Sequence, residues 1–137
     1  MKDSDYQLRL IGFVRSPLTS LEGCPKQGVE GAPEAWLEID PVFSDALEGL
    51  AAGQEIIVLT WLDKARRDLL RVHPRGNPEA PLKGVFATRS PHRPNPIGLH
   101  RVEIVEIEKP GRIRVGPLEA LDGTPVIDIK PVLLNER

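Results

Sequence analysis

The sequence contains one cysteine, no long apolar run and no standard nucleotide-binding motif. Cys24 cannot form a disulfide within the chain, and no cysteine–histidine spacing typical of a metal site occurs, so we expect no bound metal. No run approaches the ~18 apolar residues of a membrane-spanning helix, so we expect no membrane partner. Because the first residues are polar and acidic, without the apolar core of a secretory signal, we expect a cytoplasmic protein.

Two common ways of binding nucleotides are also missing. Neither the pattern G-x-G-x-x-G nor the pattern G-x-x-x-x-G-K-[ST] occurs, so the sequence supports neither a Rossmann domain nor a P-loop domain. The serines do not stand in the context of a nucleophile elbow. Cys24 lies near Lys26, which leaves an activated thiol open, although a lone cysteine is more often incidental.

The chain of 137 residues is long enough to bury its own core, and we expect residues 1–137 to form a single domain. Its net charge of −2 hides an uneven distribution. Residues 64–101 contain 9 Lys and Arg against 2 Asp and Glu, whereas residues 1–63 contain 4 against 11. The basic segment could attract an anionic partner such as nucleic acid, or it could pair with the acidic segment before it.

Short strands broken by glycine and proline dominate the pattern. Apolar alternation and β-branched runs predict six strands and two further strand ends, and the β-branched run at residues 55–62 predicts a central buried strand. The strands are residues 8–14, 35–39, 55–62, 102–108, 112–115 and 126–129, and the strand ends are residues 85–87 and 97–99. One short helix is predicted over residues 46–51, and residues 69–73 fit either a strand or a helical turn. This pattern predicts a mainly β protein, a barrel or a sandwich, in which Trp36 and Trp61 are more typical of the core than of a base-stacking surface.

The stretch FATRSPHRPNPIGL, residues 86–99, is the most informative part of the chain. Its prolines restrict the backbone, so the polar groups between them can be preorganised for a ligand. Arg89 and Arg93 each carry a planar guanidinium that suits a carboxylate or a phosphate. The alternative is an ordinary proline-rich turn with solvated arginines.

This stretch resembles the signature of the TsaA-like, or TrmO, family, whose members are S-adenosylmethionine-dependent tRNA methyltransferases. Three other segments resemble the family in the same order along the chain. They are IGFVRSP at residues 11–17, PKQ at residues 25–27 and LDGTPVIDIKP at residues 121–131. The resemblance implies a small β-barrel, unrelated to the Rossmann methyltransferases, that forms a homodimer. Together with the strand pattern, it leads us to expect an all-β barrel with one or two short helices.

The resemblance also implies which residues contact S-adenosylmethionine. They are Pro25, Lys26, Gln27, Asp63, Lys64, Arg89, Leu99, Leu121, Asp122, Gly123 and Thr124. Two segments depart from the family's pattern. Lys26 stands where the motif has arginine, and it keeps the charge but not the bidentate geometry. Asp63 and Lys64 stand where the family often has a histidine followed by arginine or glutamine.

The implied reaction is N6-methylation of N6-threonylcarbamoyladenosine at tRNA position 37, beside the anticodon. Because methyl transfer from a sulfonium needs an aligned nucleophile, positioning should supply much of the rate. Asp122 or Asp128 could accept the proton that N6 loses, although solvent could serve instead. Arg93 or Arg89 suits the carboxylate of the threonylcarbamoyl group. The residues expected to bind the tRNA anticodon stem-loop are Arg93, Asn95, Arg66, Arg67, Arg71 and Arg75, with the last four on phosphates.

Two other functions stay open at this point. The chain could be a non-catalytic β-barrel that binds S-adenosylmethionine or another small ligand, or it could be a methyltransferase that acts on a different substrate. The missing histidine before Lys64 favours the first of these. We expect tRNA to dock without the C-terminal extension that some bacterial members of the family carry.

Overall fold

The computed structural model describes residues 6–19 and 32–136. Within these ranges the chain forms eight β-strands and four short 3-10 helices. The strands are β1 (Gly12–Arg15), β2 (Ala35–Ile39), β3 (Glu55–Trp61), β4 (Arg71–Val72), β5 (Lys83–Gly84), β6 (Ile97–Glu108), β7 (Arg112–Gly116) and β8 (Pro125–Pro131). The 3-10 helices are Pro41–Leu47, Pro74–Gly76, Val85–Ala87 and Leu134–Glu136.

Six of the strands close into an antiparallel barrel in the order β1-β2-β7-β6-β3-β8, and β8 pairs with β1. β6, with 12 residues, pairs with β3 along its first part and with β7 along its second, so it links the two sides of the barrel. β4 and β5 form a separate two-stranded sheet between β3 and β6 in the chain. The predicted mainly β, non-Rossmann barrel is confirmed.

The inside of the barrel is filled by alternate residues of its strands. In β3, Ile56, Val58 and Thr60 are fully buried, while the residues between them face outward. The remaining buried apolar residues of this core are Val14, Ala35, Leu37, Ile39, Val102, Ile104, Ile113, Val115, Leu118, Ala120 and Val126. His100 of β6 lies opposite Val58, and its Nε2 is 2.8 Å from Oγ1 of Thr60. Burial lowers the pKa of His100 to about 4, so this imidazole is neutral at pH 7.

The predicted helix over residues 46–51 is wrong in position and type. The helix begins at Pro41 as a 3-10 helix and ends at Leu47. Asp40 caps it, because its carboxylate accepts a hydrogen bond from the amide of Val42 (3.0 Å). The chain leaves the helix before Gly49, whose φ of 98° lies in the left-handed region.

The strand predictions fail where a turn or a neighbouring strand decides the structure. Residues 85–87 form a 3-10 turn rather than a strand end, because Val85 is buried and its carbonyl accepts from the amide of Thr88 (3.1 Å). The predicted strands at residues 97–99 and 102–108 are one continuous strand, since His100 and Arg101 keep the alternation and pair with β3. The first strand begins at Gly12, four residues later than expected.

The two tryptophans are not in the core, contrary to expectation. Trp36 and Trp61 are half-buried on the outer face of the barrel, each beneath an arginine. Cζ of Arg112 lies 4.1 Å from the ring centroid of Trp36, and Cζ of Arg67 lies 5.1 Å from that of Trp61. Both tryptophans occupy outward positions of their strands, where each indole makes a cation–π contact.

No helix within residues 6–19 and 32–136 has the length and apolarity needed to cross a membrane. Within the same ranges, no three side chains of His, Cys, Asp or Glu are grouped in a way that could hold a metal ion.

Candidate functional site

One end of the barrel collects most of the residues that the sequence assigned to a site. Its rim is formed where β1 and β3 end, at Arg15 and Trp61, and where β6 and β8 begin, at Ile97 and Pro125. Strand pairing brings these points together, since Trp61 lies opposite Ile97, and the β1–β8 and β3–β8 pairs meet at the start of β8. We call this rim the loop end. Residues 16–19, 62–70, 88–96 and 121–124 all leave the barrel here.

The turn that carries Asp122 is bound to the strand that ends beside it. Oδ1 of Asp122 accepts a hydrogen bond from the amide of Ser16 (3.0 Å), and the amide of Asp122 donates to the carbonyl of Leu18 (2.7 Å). The amide of Gly123 donates to the carbonyl of Val14 (2.7 Å). These bonds place an exposed carboxylate at a fixed position on the loop end.

Two further residues of this turn explain its shape. Gly123 has a φ of 86°, which only glycine adopts without strain. Thr124 is buried, and its hydroxyl donates to the carbonyl of Leu121 (2.7 Å). The sequence LDGT therefore forms a tight turn, as its Asp-Gly pair predicts, and it also presents Asp122 to solvent.

The loop over residues 88–96 is closed on itself by hydrogen bonds. Nη1 of Arg93 donates to the carbonyls of Thr88 (3.0 Å) and Ser90 (2.9 Å). The amide of Ser90 donates to the hydroxyl of Thr88 (3.1 Å), and the amide of His92 donates to the hydroxyl of Ser90 (3.1 Å). Arg89, which is exposed, therefore lies between two residues whose carbonyls are held by the same guanidinium.

The segment after β3 provides partners for this loop. The amide of Arg66 donates to Nδ1 of His92 (3.0 Å), and the side chain of Arg66 makes two hydrogen bonds to Asp68 (2.7 and 3.0 Å). The hydrogen bond from Arg66 lowers the pKa of the Asp68 carboxyl. Nε of Arg67 donates to the carbonyl of Pro94 (2.7 Å). Two of the arginines expected on tRNA phosphates thus have partners within the protein.

Asn95 and Arg67 also contact each other, since Nη2 of Arg67 donates to Oδ1 of Asn95 (3.3 Å). Arg71 and Arg75, the other expected phosphate contacts, are exposed on β4 and on the 3-10 helix Pro74–Gly76. The backbone of Arg75 has a φ of 55°, in the left-handed region. The basic segment pairs in part with the acidic one, because Arg101 contacts Glu55 (2.9 Å).

Phe86 is a residue at this end that sequence reasoning missed. Its side chain is 80% exposed, although the turn beneath it is anchored by Val85, which is buried. The amide of Val85 donates to the carbonyl of Leu70 (3.0 Å), so the turn is fixed to the residue before Arg71. A strand end at residues 85–87 does not predict this exposure. The 3-10 turn buries the side chain of Val85 and leaves that of Phe86 in solvent.

Leu99 and Asp128 lie apart from the turn of Asp122, on the outer wall of the barrel. Both are paired with Leu59, Leu99 from the β6 side and Asp128 from the β8 side. Leu99 is 50% exposed. Asp128 is 3.2 Å from Nζ of Lys130 and accepts from the amide of Ile129 (2.9 Å). The two candidate proton acceptors, Asp122 and Asp128, therefore have different surroundings.

Asp63 and Lys64 are exposed in the turn that follows β3 at the loop end. Pro25, Lys26 and Gln27 lie outside the described residues, as does Cys24. The structure does not describe residues 20–31, and the described residues on either side of this range belong to the loop end. The carbonyl of Leu18 accepts from Asp122 on one side of the gap, and the carbonyl of Pro33 accepts from Leu118 on the other (2.9 Å).

A cleft of about 470 Å³ opens beside Asp122. It is lined by Arg15, Ser16, Pro17, Glu34, Ala35, Trp36, Arg114 and Asp122. Its arginines are neutralised within the barrel wall, since Arg114 contacts Glu34 (3.0 Å) and Glu106 (2.8 Å), and Arg15 contacts Glu38. Of the residues assigned to a site, Asp122 borders this cleft, whereas Arg89 and Leu99 belong to other parts of the rim and wall.

Comparison with known proteins identifies the family. A model of the family described as tRNA-methyltransferase O N-terminal domain matches residues 13–135. A "Probable S-adenosyl-L-methionine-binding protein" of Methanothermobacter thermautotrophicus is 46% identical over 131 residues, which cover 96% of this chain and 93% of that protein. An "S-adenosyl-L-methionine-binding protein" of Archaeoglobus fulgidus is 49% identical over 123 residues, which cover 90% of this chain and 86% of that protein.

The fold is similar to solved structures of the same family. The crystal structure of TrmO from Pseudomonas aeruginosa superposes with a TM-score of 0.75 and 34% identity, covering 93% of this chain and 56% of that chain. A second crystal structure of TrmO superposes with a TM-score of 0.75 and 36% identity, covering 93% of this chain and 57% of that chain. The chain thus spans little more than half of these crystallised chains. The chain belongs to the tRNA-methyltransferase O N-terminal domain family, as its signature stretch predicted.

Proposed function

We propose that this chain binds S-adenosylmethionine and transfers its methyl group to N6 of threonylcarbamoyladenosine at tRNA position 37. One observation carries the proposal. The described parts of the family signature, which are separate in sequence, meet at the loop end of the barrel and at the wall directly below it. Hydrogen bonds join the first of these segments to the last, through Ser16 and Asp122 and through Val14 and Gly123, and the proline-rich stretch enters β6 at the same rim.

The residues at the loop end fit the chemistry of the cofactor. Arg89 offers an exposed guanidinium for its carboxylate, and the fixed carboxylate of Asp122 suits its ribose hydroxyls. Leu99 and Leu121 offer apolar surface. Relatives that are named as S-adenosylmethionine-binding proteins support the same assignment. The remaining proposed contacts are Pro25, Lys26, Gln27, Asp63, Lys64, Gly123 and Thr124.

S-adenosylmethionine, when bound, supplies an electrophilic methyl group on a sulfonium. The task of the chain is then to hold the adenine amine in line and to take up the proton that the amine loses. We assign the proton to Asp122, because its carboxylate is exposed at the rim and fixed by the amide of Ser16. Asp128 is the alternative, but its carboxylate lies on the outer wall of the barrel, 3.2 Å from Nζ of Lys130.

The anionic substrate is assigned to the basic side of the same end. With Arg89 on the cofactor, the carboxylate of the threonylcarbamoyl group is proposed to meet Arg93, with Asn95 beside it. The phosphates of the anticodon stem are proposed to meet Arg71 and Arg75, with Arg66 and Arg67 adding to the positive field. Phe86 supports RNA rather than a small molecule as the substrate, because an exposed aromatic ring suits an unpaired base and the turn that carries it is hydrogen-bonded to Leu70, next to Arg71.

A homodimer and a cytoplasmic location belong to the same proposal. Ile97 and Leu99 are 42% and 50% exposed on neighbouring outward positions of β6, and a second copy of the chain would cover them. Sedimentation of the purified chain measures this directly, and a monomer at micromolar concentration would contradict the dimer.

A non-catalytic barrel that binds S-adenosylmethionine is the second candidate function. The names of the relatives, which state binding and no reaction, favour it, and so does the replacement of the family's histidine by Asp63. Incubation with radiolabelled S-adenosylmethionine and total tRNA, followed by mapping of the labelled nucleoside, separates the candidates. Label in one modified adenosine supports the proposed reaction. Binding without transfer supports the second candidate, and no binding contradicts both.

A further inference from the structure

Residues 62–68 are fastened to the signature loop at three successive points. The amide of Leu62 donates to the carbonyl of Pro96 (2.8 Å), the amide of Arg66 to Nδ1 of His92 (3.0 Å), and Nε of Arg67 to the carbonyl of Pro94 (2.7 Å). The first two donors are backbone amides, which any residue other than proline supplies. The third donor is a side chain, so its identity decides whether the contact exists.

Arg67 occupies a position between a fixed surface and this loop. Its Cζ lies 5.1 Å from the ring centroid of Trp61, the last residue of β3, which is paired with Ile97. The same guanidinium donates to the carbonyl of Pro94 and to Oδ1 of Asn95. A flat group with several donors in one plane meets all three contacts at once, whereas the ammonium group of a lysine offers a single charge centre without that plane.

Arg93 extends these contacts to the other half of the loop. Its Nη1 donates to the carbonyls of Thr88 and Ser90, the residues on either side of Arg89. The contacts therefore run from Trp61 through Arg67 to residues 94 and 95, and from Arg93 to the residues that flank Arg89. Arg89 itself carries a guanidinium into solvent from the centre of this arrangement.

We propose that Arg67 is a positioning residue: it fixes residues 92–96 against β3 and, together with Arg93, sets the orientation of Arg89. The role of Arg67 at the site is then to hold the loop in place, and a positive charge without the planar guanidinium does not fulfil that role. The consequence for methyl transfer rests on the proposed function, whereas the consequence for the loop rests on the contacts alone.

The variants Arg67→Lys and Arg67→Ala separate position from charge. If Arg67 acts by position, both lower kcat for methylation on the order of tenfold or more, and Arg67→Lys, which keeps the charge, does so while KM for tRNA and its salt dependence stay near those of the wild-type chain. If Arg67 is mainly a phosphate contact, Arg67→Lys retains activity and Arg67→Ala raises KM. The second result overturns the proposal. Arg71→Lys and Arg71→Ala serve as matched controls, because Arg71 is an exposed arginine of the same basic segment and is expected to act by charge.

Hydrogen exchange of the amides of residues 88–96 tests the same proposal without any activity. Arg67→Lys is expected to raise their exchange rates, while the exchange of β3 and β8 and the midpoint of unfolding stay unchanged. Exchange rates in the loop that equal those of the wild-type chain overturn the proposal. If the wild-type chain transfers no methyl group, the proposed function fails, and the exchange measurement still decides the role of Arg67.

Discussion

The hydroxyl of Thr60 and Nε2 of His100 lie 2.8 Å apart inside the barrel, next to the loop end. Burial lowers the pKa of His100 to about 4, whereas an unfolded chain has a histidine pKa of about 6.5. The unfolded chain therefore takes up the proton first as the pH falls. The stability that a neutral His100 provides is complete above pH 6.5 and is lost progressively between pH 6.5 and pH 4.

We expect the free energy of unfolding to fall by up to about 3 kcal/mol across this window through His100 alone. Urea unfolding at pH 7.5, 6.0 and 4.5 measures the fall, and the variant His100→Gln is the control, because it cannot titrate. The carboxylates titrate equally in both proteins, so the difference between them isolates His100. Parallel curves for the wild-type chain and the variant would contradict this account.

Gly98 lies close to the same polar pair, and its lack of a side chain is required there. A Cβ atom at this position would collide with Oγ1 of Thr60, lie 2.7 Å from Nε2 of His100 and lie 3.2 Å from Cδ2 of Leu62. We expect Gly98→Ala to lower the free energy of unfolding by about 1–3 kcal/mol. The matched control is Gly84→Ala, where the nearest atom to a Cβ is 3.9 Å away and a change within about 0.5 kcal/mol is expected. Equal losses in both variants would show that packing around Gly98 is not the cause.

Asp122 and Asp128 differ in what surrounds their carboxylates, and this difference predicts which one takes the proton. Asp122→Asn keeps an oxygen for the amide of Ser16, so the turn should stay folded while methyl transfer slows on the order of 100-fold. Asp128→Asn removes the charge that faces Lys130 on the outer wall and should change the rate less than threefold. Single-turnover rates with saturating S-adenosylmethionine measure both. A large loss in Asp128→Asn alone would transfer the role to Asp128, and no loss in either would assign the proton to solvent.

Phe86 is expected to stack on an unpaired base of the RNA. Removal of such a stack costs about 1–3 kcal/mol, so Phe86→Ala should weaken binding of an anticodon stem-loop roughly 5- to 160-fold without changing the salt dependence. Phe86→Trp should keep the affinity, because it preserves an aromatic face. Arg71→Ala should instead reduce the slope of affinity against salt concentration by about one. A change of oligomeric state in Phe86→Ala, with RNA affinity unchanged, would place this ring in a protein interface.

The strand pattern predicted a barrel or a sandwich, because the signals that mark strands are local, and the family resemblance favoured the barrel. Strands β2, β3 and β7 agree with the predicted ranges within one residue, since β2 and β7 alternate clearly in sequence and β3 is a run of β-branched residues. The turn at Asp122 was equally predictable, because an Asp-Gly pair specifies its own backbone. The ranges of β1 and β6 were less predictable, because pairing with a neighbouring strand determines where they begin.

The contacts that organise the loop end could not be predicted in this way. Arg67 and Asn95, which form a hydrogen bond, are separated by 28 residues in the sequence. Arg67 also lies over the half-buried ring of Trp61. Such pairs depend on where the barrel brings two loops together, which composition does not encode. The family signature identified the right loop, but the division of its arginines between internal contacts and solvent required the structure.

Methyl transfer to a pair of matched RNAs tests the central claim most directly. One anticodon stem-loop carries N6-threonylcarbamoyladenosine at position 37 and the other carries unmodified adenosine. With labelled S-adenosylmethionine, the account predicts label only in the modified RNA, in a nucleoside that is methylated on N6. Cofactor binding without label in either RNA, or equal label in both, would contradict it.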